Sequence, residues 1–143
     1  MKMRLVAVVL GVAVLVACGT SAPAGPAAGI HDHGGPDAFN IALVSSNVIA
    51  DITVDPARVG AVMVHMEFSP PGGRLQQVTS VSGTLTSVDE AQPVLNVQFE
   101  ESGTNHFHGE TEVLVSGSWT LDLTATLADG ERVSYTTSID FER

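Results

Sequence analysis

From Trp119 onward apolar and polar positions alternate: Trp119, Leu121, Leu123, Ala125 and Leu127 are separated by Thr120, Asp122, Thr124 and Thr126. A period of two is the mark of a strand with one buried face, because successive side chains point to opposite sides. The alternation resumes in Val133, Tyr135, Thr137, Ile139 and Phe141 after Asp129-Gly130, a pair that predicts a two-residue type I′ turn. The C-terminus therefore reads as a β-hairpin. The same texture of Val, Thr, Ile and Leu runs, with no helical period, extends back to Phe39. It predicts strands at about 39–44, 48–54, 60–68, 76–87, 93–99, 104–115, 118–127 and 131–141. Breaks are expected at Asp55-Pro56, Ser69 to Gly73, Asp89-Glu90, Ser102-Gly103 and Gly117.

Seven or so short strands in about 105 residues is the arithmetic of an immunoglobulin-like β-sandwich, so the expected fold class is all-β. The antibody-type cysteine pair around the tryptophan is missing, since the chain holds a single cysteine. Trp119, Phe107, Phe68, Leu121, Leu123, Val62, Val64, Tyr135 and Phe141 are the expected core.

The first 38 residues follow other rules. Lys2 and Arg4 precede an apolar run from Leu5 to Val16, too short for the roughly 20 residues of a spanning helix, and this predicts a secretory signal over 1–17. Its end, Leu15-Val16-Ala17-Cys18, resembles the lipobox of bacterial lipoproteins, in which the cysteine is acylated and becomes the first mature residue. Two or more acyl chains, at about 0.8 kcal/mol per buried methylene, hold a protein on a membrane where one chain holds it only marginally. Lipidation at Cys18 also accounts for a lone cysteine in an exported chain. Residues 18–38 are Gly-, Ala-, Pro- and Ser-rich and predict a flexible tether ahead of the domain at 39–143. The expected location is the extracytoplasmic face of the cell membrane, lipid-anchored.

Charge narrows the partners. Loss of the signal leaves four arginines, no lysine and sixteen acids, a formal charge of −12. Such a field repels nucleic acid and concentrates cations. Neither a nucleophile in a Ser, His and Asp context nor a phosphate-binding glycine loop is present, and the chain is expected not to be an enzyme.

A resemblance comes from Asp55-Pro-Ala-Arg-Val-Gly60, the strand AVMVHMEF, a Pro-Gly-Gly turn, and Gly103-Thr-Asn-His-Phe107 leading to Gly117-Ser-Trp119. In that order and spacing these residues resemble the YtkA-like family over about residues 50 to 141. The family is a small extracytoplasmic immunoglobulin-like domain, found alone or as the C-terminal part of CopC/CopD-type bacterial copper-transport proteins. The resemblance implies a role in binding or handling copper beside a membrane copper transporter. The chain carries neither the fused copper domain nor the transmembrane helices of the larger proteins, which shifts the expectation from transport to an accessory role.

The chemistry that can be named sits in Met63, His65, His106 and His108, with His31 and His33 on the tether as accessory candidates. Strand parity puts Val62, Val64, Met66 and Phe68 on the apolar side, so Met63, His65 and Glu67 face outward. Phe107 is likewise inward, leaving His106, His108 and Glu110 outward. In an immunoglobulin-like sandwich these two strands take the places of neighbouring strands B and E, which would gather the donors on one outer surface. Imidazole with thioether suits copper; zinc, the alternative, would use the histidines, and a carboxylate from Glu67 or Glu110 suits zinc or Cu(II). Solvated histidines on an outer strand look the same in sequence. The rival reading is then an envelope interaction module docking on a membrane partner, with incidental histidines.

Overall fold

The computed structural model describes residues 34–72, 76–89 and 92–143. The signal at 1–17, Cys18 and the tether histidines His31 and His33 lie outside the described residues. The rest is all-β: β1 Phe39–Ser45, β2 Val48–Asp55, β3 Gly60–Ser69, β4 Val78–Ser87, β5 Leu95–Gly103, β6 His106–Val113, β7 Gly117–Leu127 and β8 Arg132–Phe141. The strands form one antiparallel sheet in the order β1-β2-β3-β6-β5-β4-β7-β8. It curls until β1 and β8 approach each other, so its two halves face one another across a core as the layers of a sandwich do. Relative to the expectation of about seven strands, the count among the described residues is eight.

The core is where the alternation puts it. All nine expected core residues are buried, with Trp119 and Leu121 fully so, and Ile52, Val54, Val78, Leu85, Val97 and Ile139 join them. Two edge-on ring pairs sit inside it: Phe68 with Phe107, centroids 6.0 Å apart, and Trp119 with Phe141, 6.1 Å apart. Tyr135 of β8 lies 6.2 Å from Phe68 of β3, and its hydroxyl donates to the Val48 carbonyl at 3.2 Å. Burial pushes its pKa up to about 12. The Trp119 indole N–H donates to the Val115 carbonyl at 3.2 Å.

Two turns differ from expectation. The β7–β8 connection is a three-residue loop, because Leu127 N–H donates to the Glu131 carbonyl and Gly130 N–H to the Leu127 carbonyl. Of its residues only Gly130 has positive φ, at 89°, whereas a type I′ turn needs two. The Asp129 carboxylate accepts the Glu131 N–H at 2.9 Å and so closes the longer loop. The two-residue turn with both φ positive is at Ser46-Asn47, 47° and 61°, flanked by the Ser45–Val48 pair. Between β5 and β6 the break falls at Thr104-Asn105 rather than at Ser102-Gly103.

Residues 34–38, expected within the tether, are fastened to the domain. Gly35 N–H donates to Asp55 Oδ2 at 3.0 Å, Ala57 N–H to the Asp37 carbonyl at 2.8 Å, and Arg58 pairs with Asp37 at 3.3 Å.

Candidate metal-binding face

The outer face of β2, β3, β6 and β5 carries the candidate donors, and two features of the chain put them there. β3 and β6 are direct neighbours, as the sandwich reading requires, and their register sets His65 opposite His108, Met63 opposite Glu110 and Glu67 opposite His106. Val62, Val64, Met66, Phe68 and Phe107 occupy the inner face, all buried, which forces the alternate residues outward. Residues directly opposite in an antiparallel pair have Cβ atoms about 4.5–5.5 Å apart, within reach of a shared ion.

The start of β6 is held by Asn105, buried and in the left-handed region at φ 61°. Its side-chain oxygen accepts the Val78 N–H at 2.7 Å, its amide donates to the Gln76 carbonyl at 3.3 Å, and its own carbonyl accepts the Phe68 N–H at 3.0 Å. Asparagine suits the site because its short polar chain tolerates that backbone conformation. The next residue, His106, thus leaves the turn in a set direction. Its Nε2 lies 3.5 Å from Glu67 Oε1, both side chains partly exposed.

The register adds groups that sequence parity could not supply. Glu100 of β5 stands opposite His108, and Asp51 of β2 stands opposite Glu67. Three rows therefore cross the face: Asp51–Glu67–His106, Thr53–His65–His108–Glu100, and Asp55–Met63–Glu110–Gln98. The last borders a shallow open groove of about 440 Å³ lined by Asp55, Ala61, Val62, Met63, Glu110 and Thr111. No local motif marks Asp51 or Glu100; only knowledge of which strands pair, and in what register, could have found them.

The structure brings Met63, His65, His106 and His108 onto one face. It does not converge them: as the side chains stand, no three His, Cys, Asp or Glu residues among the described residues lie close enough to hold a metal ion. What the face offers is ligand pairs, His65 with His108 above all, with carboxylates and a thioether one row away. The structure also places Gly34, the residue after His33, against this face. A Cβ on Gly34 would lie 3.4 Å from Thr53 Cγ2 and 3.7 Å from Asp55 Oδ2, one strand over from His65 and Met63.

Comparison with known proteins informs the fold. No family model matches the chain and no curated protein matches it. Among solved structures it is similar to a DUF4785 family protein from Legionella pneumophila subsp. pneumophila str. Philadelphia 1, with a TM-score of 0.52 and 14% identity over 68% of this chain. The chain spans 28% of that protein's length, and the likeness is one of β-strand arrangement.

Proposed function

We propose that the protein is a lipid-anchored extracytoplasmic lipoprotein that binds copper on the outer face of β3 and β6 and serves as an accessory to metal transport or resistance. The observation that carries this reading is His65 directly opposite His108, flanked by the Met63–Glu110 and Glu67–His106 pairs. Two imidazoles with nearby carboxylates suit Cu(II), and Met63 adds a soft donor for Cu(I); zinc would draw on the histidines and carboxylates. Donors in pairs rather than a closed cage favour an exchangeable ion, captured and passed on, over permanent storage. The YtkA-like resemblance points the same way, and the acidic field raises the local cation concentration. His31 and His33, a few residues from Gly34, are the proposed accessory ligands, and acylation of Cys18 is the proposed anchor.

The test is titration of the mature protein with Cu(II), and with Cu(I) under reducing conditions, beside His65→Ala/His108→Ala and His106→Ala variants. The double variant is expected to weaken Cu(II) binding by about 100-fold or more, and His106→Ala less, since its ring already faces Glu67. Weak binding, alike in wild type and double variant, would sink the metal reading. The scattered donor pairs favour the second reading in that event, an envelope interaction module docking on a membrane partner.

A further inference from the structure

Because every neighbouring strand pair is antiparallel, the start of β1 and the connections after β2, β4 and β6 gather at one end of the molecule with the end of β8. The chain running back to Cys18 leaves the described residues at this end, at Gly34. Among the described residues four large apolar side chains are conspicuously exposed, and three of them belong here: Val88 at 60%, Val94 at 54% and Leu114 at 62%. The fourth, Val44, is near the opposite end of β1.

The rim that carries the three is internally bonded. Gln92 ties its two loops together, its amide donating to the Glu112 carbonyl at 3.4 Å and its side-chain oxygen accepting the Leu114 N–H at 2.9 Å. Val88 N–H donates to the Ser118 carbonyl at 2.9 Å. Backbone groups satisfied in this way can leave water without being orphaned, which is the condition for contact with lipid. Arg58 at the same end is neutralised by Asp37.

We propose that this end of the domain docks on the surface of a zwitterionic lipid bilayer, with Val88, Val94 and Leu114 dipping into the interfacial region. The inference rests on acylation of Cys18. Fifteen residues separate Cys18 from Gly34, so this end lies no farther than about 55 Å from the anchor even at full extension. That reach sets an effective concentration in the millimolar range, so three aliphatic side chains of only millimolar affinity for the bilayer keep the end seated. Anionic lipid is disfavoured by the formal charge of −12. The orientation has a consequence for the candidate face: the Met63–Glu110 groove sits on its membrane side, and the Glu67–His106 pair, near the far ends of β3 and β6, points away from the bilayer.

The experiment uses the full lipidated protein reconstituted in phosphatidylcholine vesicles. Val88→Cys, Leu114→Cys and Val44→Cys variants are each labelled with a polarity-sensitive fluorophore; the acylated Cys18 sulfur takes no label. Flotation with the vesicles reports the anchor, and quenching by spin-labelled lipid reports docking. The expected result is flotation of all three, with quenching several-fold stronger at 88 and 114 than at 44. Flotation with equal quenching at all three positions overturns the docking and leaves the anchor standing. Failure to float overturns the anchor, and the docking with it.

Discussion

The sheet has two outer faces made of different chemistry. Over β4, β7 and β8 the outward residues are hydroxyl-rich, among them Ser82, Thr84, Thr86, Thr120, Thr124, Thr126, Ser134 and Ser138, and several hydroxyls on this face bond across strands. Thr136 donates to Asp122 at 2.7 Å, Thr124 and Ser134 meet at 3.4 Å, Ser118 bonds Asp140, and Thr79 donates to the Thr126 carbonyl at 3.1 Å. Over β2, β3, β6 and β5 the outward residues include histidines, carboxylates and a thioether; Glu67 and His106 lie 3.5 Å apart, Asp55 accepts the Gly35 N–H at 3.0 Å, and Thr53 donates to Asn40 at 2.7 Å. Cross-strand Thr and Ser pairs stabilise a solvated sheet by small increments. Imidazole, carboxylate and thioether pairs contribute on the same scale, and these groups are in addition metal ligands. The difference is the reason the proposed metal site is assigned to one half of a fold whose two halves share a single core.

The largest expected effect strikes the half that carries the donors. Asn105→Ala removes the acceptor for the buried Val78 N–H and the donor to the Gln76 carbonyl, and leaves alanine at φ 61°. An unsatisfied buried donor costs about 1–3 kcal/mol and the left-handed backbone about 1–2 more, so a loss of about 3 kcal/mol is expected in denaturant unfolding. Copper affinity is expected to fall as well, since Asn105 sets where His106 begins. Gly109→Ala comes next. Its Cβ would lie 2.7 Å from Val97 Cγ1 and 2.8 Å from the Gln98 carbonyl oxygen, so β5 must shift, at about 2 kcal/mol. A variant as stable as wild type in either case would show that this half does not depend on close backbone packing.

How much of this was legible follows from what periodicity encodes. Inward and outward sides are local properties, so Trp119, Met66, His65 and His106 could each be assigned a face from their immediate neighbours. That β3 lies beside β6 came from a whole-fold expectation, and it holds. Register is not local: the His65–His108 and Asp51–Glu67 pairings are set by how β3 meets β6 and β2, and Glu100 arrives opposite His108 because of where the Thr104-Asn105 turn falls, which the Ser102-Gly103 signal placed two residues early. Turn type failed at Asp129-Gly130 for a related reason. An Asp-Gly pair suits several loop lengths, and the Leu127–Glu131 closure, set by the strands, selected the longer one.

The two halves are joined through Tyr135, and the next effect in size tests that joint. Tyr135→Phe removes the hydroxyl that donates to the Val48 carbonyl, at about 1 kcal/mol. Burial raises the phenol from its ordinary value of 10.0 to about 12, so the fold favours the protonated ring. The stability it contributes is complete below pH 10 and is lost as pH rises from 10 through 12. Wild type is therefore expected to lose stability across that window in thermal melts, and the Phe variant to show a flatter profile. Equal slopes would mean that Tyr135 is not the group that titrates.

The smallest effect separates the outer faces most cleanly. Asp122→Ala and Glu67→Ala each delete one exposed carboxylate from a cross-strand pair, Asp122 from Thr136 and Glu67 from His106. Exposed pairs of this kind contribute about 0.2–1 kcal/mol, so both variants are expected to unfold within about 0.5 kcal/mol of wild type. Copper affinity is expected to divide them. Asp122 sits among hydroxyls across the molecule from the donors, and its loss should leave binding unchanged. Loss of Glu67 frees the His106 ring and removes a candidate ligand, so binding should change about threefold or more, downward if the carboxylate ligates and upward if it holds His106 back. Equal affinity in the two variants would mean that copper does not read the difference between the faces.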